Sequence, residues 1–240
     1  MQRASKYLVL KIELALTVWI SSLFLPSLVK SDSNVGNIAV IEADPAILQP
    51  GEPFDLNGKT LTFTPRAGGG YTVSTGALSF NGNLGTNLGL GDDASVPQPL
   101  AFTFPYFGSN RSNLFIGSNG YLTFDGSSTL AHFNNGSVTS LGTDLSAVLD
   151  CFAGGGCFGR IAVLWQNWNP SAGGGVFANS MADRLIVTWN NVPLFGTATF
   201  ATFQVVLFNT GVIQMNYQNV TITPGGGYLV GISPGSSGSR

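Results

Sequence analysis

Charged side chains make up only 9% of this 240-residue sequence, and histidine occurs once. The lack of charge excludes whole function classes. Ten Lys and Arg against twelve Asp and Glu give a formal net charge of −2, so there is no basic surface for nucleic acid or anionic lipid. The single histidine, His132, has no second His to share a zinc site with,. No Gly-x-Ser-x-Gly elbow accompanies it,, and nothing pairs it with a particular Ser and Asp. It reads as a lone rim histidine in Ala131–Asn135. The two cysteines, Cys151 and Cys157, are too few for a four-ligand metal centre,. A phosphate loop is also missing. Gly58-Lys59-Thr60 contains GKT, but Pro53 stands where the first glycine is needed, and the glycine-rich Asn81–Gly91 has no helix to follow it,. Helical periodicity is nearly absent after residue 31; Ser140–Leu149 is the one short candidate.

What is present begins with an export signal. Arg3, Lys6 and Lys11 make a basic start, Leu14–Leu25 is largely apolar, and Pro26 breaks the run before Val29-Lys30-Ser31. This three-part layout predicts a signal peptide over residues 1–31. Glu13 interrupts the start of the run, and an uncleaved N-terminal anchor is the rival reading, although a span needs about 20 apolar residues. Either way the rest of the chain is secreted or lies at the cell surface. With residues 1–31 set aside, six basic and eleven acidic residues remain, a net charge of 6 − 11 = −5. A chain of that length buries roughly 70% of its unfolded surface and holds one core, so a single domain is expected.

From Phe54 onward the apolar period is two. Leu61 and Phe63 alternate with threonines, as do Leu100, Phe102 and Phe104 with Ala101 and Thr103. Leu185, Val187 and Trp189 share one face; so do Phe203, Val205 and Leu207, and Ile213, Met215 and Tyr217. Such alternation predicts half-buried strands. Arg66–Gly70, Ser118-Asn119-Gly120 and Asn209-Thr210-Gly211 separate strand pairs as hairpin turns,. The fold class is therefore all-β, an antiparallel β sandwich with Gly-rich hairpins and loops. Residues 32–52 lack clear periodicity and read as an irregular segment, either a tail or a first irregular strand around Ile38–Ile41. Residues 53–235 form the domain, and 236–240 a flexible tail.

Few residues carry chemistry. Cys151 and Cys157 in CFAGGGC predict a disulfide in an exported chain, contributing about 2 kcal/mol for so short a ring. Asp92-Asp93 is the one tight acidic pair. It reads as a solvated loop, with calcium as the more serious alternative if Asp125 or Asp144 adds oxygen ligands; no catalytic carboxylate pair is assigned. Leu164–Gly175, LWQNWNPSAGGG, holds two tryptophans. Trp165 closes an apolar run and is expected in the core, whereas Trp168 is expected as an exposed ring in a polar loop. Gln166, Asn167 and Trp168 are thus the candidate ligand contacts, an uncharged patch suited to a neutral ligand such as a glycan, unless Trp168 only packs the loop. No catalytic residue, metal or cofactor is assigned. Sequons at Asn110, Asn135 and Asn219 would be acceptor sites in a secreted eukaryotic chain.

Six segments, in order, resemble the nidogen-like extracellular domain, above all the version in secreted bacterial proteins. They are Pro99–Gly108, Phe115–Phe124 (FIGSNGYLTF), Arg160–Pro170 (RIAVLWQNWNP), Asp183–Val192, Phe203–Leu207 and Val230–Gly235. The likeness covers residues 97–235, and 53–90 is similar to a leader often found with it. It implies a β-rich extracellular module without recognised catalytic residues, tied in animal matrix proteins to cell–matrix adhesion. Gln166 and Asn167 stand where the family commonly has two acids, which puts a calcium role for that loop in doubt. The expectation is a secreted, non-enzymatic binding or adhesion module for an extracellular protein or matrix. A carbohydrate-binding module is the alternative and a hydrolase the least favoured. No nucleic acid is expected as partner, and no membrane contact unless the N-terminal segment is retained.

Overall fold

The structure, a computed structural model, describes residues 33–35, 38–43, 54–124, 159–222 and 228–235. The predicted signal segment, His132, the Cys151–Cys157 ring, the Ser140–Leu149 helix candidate and the tail 236–240 lie outside the described residues. Those described form two seven-stranded sheets, and every pairing is antiparallel. The first runs β1 (Ser33–Val35), β2 (Ile38–Ala43), β14 (Leu229–Ser233), β9 (Arg160–Trp165), β8 (Tyr121–Thr123), β7 (Ser109–Gly117) and β6 (Ser95–Tyr106). The second runs β4 (Tyr71–Ala77), β3 (Lys59–Pro65), β13 (Ile213–Val220), β12 (Phe200–Phe208), β11 (Arg184–Pro193), β10 (Gly175–Ser180) and β5 (Thr86–Asn87). This is the predicted β sandwich. Of residues 32–52, those described form β1 and β2; β2 runs from Ile38 to Ala43 and pairs with β14.

The period-two residues meet between the sheets. Leu61, Phe63, Val187, Trp189, Phe203 and Met215 are fully buried there with Phe104, Leu122 and Ile161 from the first sheet. Each such side chain contributes about 1.5–3 kcal/mol through the surface it removes from water. The hairpins form where glycine permits them. Gly120 and Gly211 take φ of 81° and 85°, and a Cβ on Gly120 would collide with the carbonyl of Leu164.

The second sheet departs from the half-buried expectation. Ile186, Thr188, Gln204 and Asn216 point away from the core, yet all are buried. The connection after β4 lies across them. Gln204 is its anchor: Oε1 accepts from Asn81 N at 3.1 Å, and Nε2 donates to Asn81 O at 3.0 Å. The same amide donates to Thr188 Oγ1 at 2.8 Å and accepts from Asn216 Nδ2 at 3.3 Å, while Thr60 Oγ1 donates to Asn216 Oδ1 at 2.7 Å. One polar row thus crosses four strands with its buried groups satisfied, as burial requires.

Candidate functional site

The candidate site is one end of the sandwich, where four loops meet. It begins at a bulge in β9. The N–H groups of Val163 and Leu164 both donate to Gly120 O, at 3.0 and 3.1 Å. Two residues opposing one shift the side-chain parity. Trp165 therefore turns outward, where it is buried beneath the Arg160 guanidinium, 4.5 Å above its ring. It is as buried as expected, but lies outside the core between the sheets.

Trp168 is the main correction. It is 0% exposed rather than an open ring. Its N–H bonds back to Gln166 O at 2.9 Å, and its indole Nε1 donates to Leu164 O at 2.8 Å. The strand reverses on itself, and this turn drives the ring into the mouth of the core, 5.6 Å from Phe203. A bridge to Leu194 closes it over. Gln166 is buried too, and its Oε1 accepts from Asn167 N at 2.7 Å. Only Asn167 of the three candidate contacts keeps a half-exposed face. The expected neutral patch is chiefly the internal support of the loop.

Support of this kind fixes what surrounds it. Asn167 O accepts from Phe195 N at 2.8 Å, and Pro193 O accepts from Asn169 N at 2.9 Å, so the loop after β9 is tied to the β11–β12 hairpin. That hairpin presents Phe195 at 52% and Phe200 at 39% exposure; with Leu78 these are the exposed large apolar side chains among the described residues. A Cβ on Gly173 would lie 3.8 Å from the Phe200 ring, which places the one-turn 3-10 helix Pro170–Ala172 beside it. Neither Phe stands out in the sequence. The signal is an aromatic residue immediately before Gly196 in a turn, a position with no strand partner to bury it.

The acidic loop joins the same end. Asp92 N donates to Ser171 Oγ at 3.0 Å, and Asn119 Nδ2 donates to Asp93 Oδ1 at 2.8 Å. Asp93 takes a left-handed φ of 48°, which Asp tolerates better than most residues. Partial desolvation, reinforced by the neighbouring Asp93 charge, holds the Asp92 carboxyl above its ordinary range. Asp92 and Asp93 are both exposed. Asp125 and Asp144, the further oxygen ligands that the sequence suggests, lie outside the described residues. The neighbours described are Asn119 and Ser171, from a hairpin turn and a loop remote in sequence. Among the described residues no group of three or more His, Cys, Asp or Glu is placed to hold a metal ion.

A family model described as NIDO related matches residues 60–239. No curated protein and no solved structure matches the chain.

Proposed function

The chain belongs to the NIDO-related, that is nidogen-related, family of extracellular modules, and we propose that it is a secreted or cell-surface binding module, not an enzyme, that grips an extracellular protein at the loop end of the sandwich. One observation carries this reading: Phe195 and Phe200 are held exposed by a loop whose own polar groups and tryptophan are spent on rigidity. Aromatic side chains on a preorganised support lose little entropy on contact and are typical anchors of protein interfaces. Polar groups adjoin the apolar pair: Asn167 O bonds Phe195 N, and the turn that carries Ser171, itself bonded to Asp92 N, lies beside Phe200, as the polar rim of such interfaces requires. A glycan ligand has less support, because Trp168, the ring expected to stack on a sugar, is buried.

The test is binding of the purified domain to an array of purified extracellular matrix and surface proteins, with a glycan array alongside. Saturable binding to a protein, lost in a Phe195→Ser/Phe200→Ser variant that melts like the wild type, is the expected outcome. Binding on the glycan array alone, or turnover of an arrayed substrate, would contradict the proposal.

A further inference from the structure

The two sheets have four edges among the described residues, and three of them are guarded. β1 and β5 are three and two residues long. β6 is twelve residues long but carries Pro97, Pro99 and Pro105, and its register with β7 breaks between Pro99 and Phe104. The fourth edge, β4, is different. Its seven residues, YTVSTGA, include no proline and no charge and pair with β3 without a break. Short strands, prolines, bulges and charges are the devices that keep sheet edges from pairing, and β4 has none of them.

The phase of its ladder is fixed by the turn. Arg66 N donates to Gly70 O at 3.1 Å. Alternation then places Thr72, Ser74 and Gly76 in hydrogen-bonded pairs with Thr64, Thr62 and Thr60 of β3,. The N–H and C=O of Val73 and Thr75 face outward. They lie symmetrically about Ser74, and residues 72 and 74–77 are exposed.

We propose that β4 pairs antiparallel with β4 of a second copy of this chain, about a twofold axis at Ser74. Val73 and the partner's Thr75 then exchange both backbone bonds, and Ser74 faces the partner's Ser74 as a close pair without them. Val against Thr is a favourable β-branched neighbour pair. Nothing charged meets across the seam. Lys59, opposite Ala77 on β3, and the partner's Arg66 lie three strand spacings apart, ~14 Å between backbones, with both copies of β4 between them. The edge covers less than the ~1,200 Å² of a stable complex, so the dimer is weak in dilute solution and gains from the high local concentration of a surface-bound chain. This inference stands apart from the loop-end proposal, since β4 contributes nothing to that site.

Sedimentation equilibrium of the whole chain, across protein concentration, tests it. Wild-type mass is expected to rise toward the dimer. Thr75→Lys and Thr75→Pro alter an outward-facing position, cost no internal bond, and are expected to weaken association by about tenfold or more with the thermal midpoint unchanged; the lysine variant serves if the proline one does not fold. Under mild oxidation the Ser74→Cys variant should yield, by mass spectrometry, a disulfide-linked peptide joining the new thiols of two copies. Gly76→Cys, which faces the partner's Thr72, should not link to itself. A wild-type chain monomeric up to ~1 mM, a dimer indifferent to folded Thr75 variants, or a Ser74→Cys chain that links no better than Gly76→Cys would overturn the proposal.

Discussion

Trp168 illustrates how far one residue's surroundings decide its role. Its sequence context is polar, NWNP, and polar context predicts exposure. Its ring is nonetheless a plug, with its one donor satisfied by Leu164 O. Trp168→Ala should therefore destabilise the domain by ~3–5 kcal/mol, as removal of a buried aromatic does, measured by denaturant unfolding. An exposed contact residue would change binding and leave stability alone. Gly120 is equally constrained. Gly120→Ala should cost about 2 kcal/mol or more, since left-handed backbone alone costs a side chain 1–2 kcal/mol and the new methyl collides with Leu164 O; thermal melting reads this. Asp92 gives a pH test. Its carboxyl is held above the ordinary range, first by desolvation and then by Asp93. A raised carboxyl favours the folded state when protonated, so its ionisation opposes folding as pH rises through that raised value. Asp92→Asn should therefore melt slightly higher than wild type at pH 7. The gain should fade at pH below the carboxylate range, where wild-type Asp92 is protonated in both states.

Among elements, the strands most legible in the sequence are those with one wet face. β3 shows its alternation over its second half, with Leu61 and Phe63 buried and Thr64 exposed, whereas Thr60 on the outer face is buried in the polar row. The turns were legible too, because Asn119-Gly120 and Thr210-Gly211 need positive φ and glycine supplies it,. β11 and β12 were legible as strands but not as doubly buried ones. Their outer faces read as polar or mixed, and only the chain crossing at Asn81 reveals that Gln204 and Thr188, together with Asn216 on β13, are interior groups. A crossing between elements distant in sequence leaves no local periodicity to read. Gln204→Leu should cost ~2–4 kcal/mol, because it strands the Asn81 backbone groups and the Thr188 and Asn216 side chains that it bonds. Hydrogen exchange should show the Asn81 amide losing protection beyond that global change. The β9 bulge was illegible for a related reason: two N–H groups sharing Gly120 O is a property of the pair of strands, and it turns Trp165 outward, while the reversal at Gln166–Trp168 turns Trp168 in.

At the scale of the molecule, an all-β, two-sheet sandwich followed from period-two apolar residues and glycine turns, and the family likeness read from six ordered segments agrees with the match over residues 60–239. The candidate site was only partly legible. The sequence points to the loop 166–168, but Gln166 and Trp168 are buried, and the exposed pair that the loop supports, Phe195 and Phe200, lies a strand hairpin away. Local sequence names the support and long-range hydrogen bonds name the face it supports. The most direct measurement of that face is hydroxyl-radical footprinting of the domain, free and bound to immobilised extracellular matrix. Phe195 and Phe200 should lose reactivity on binding while exposed Leu78 keeps its own. Protection of Leu78 with both phenylalanines unchanged would contradict the account.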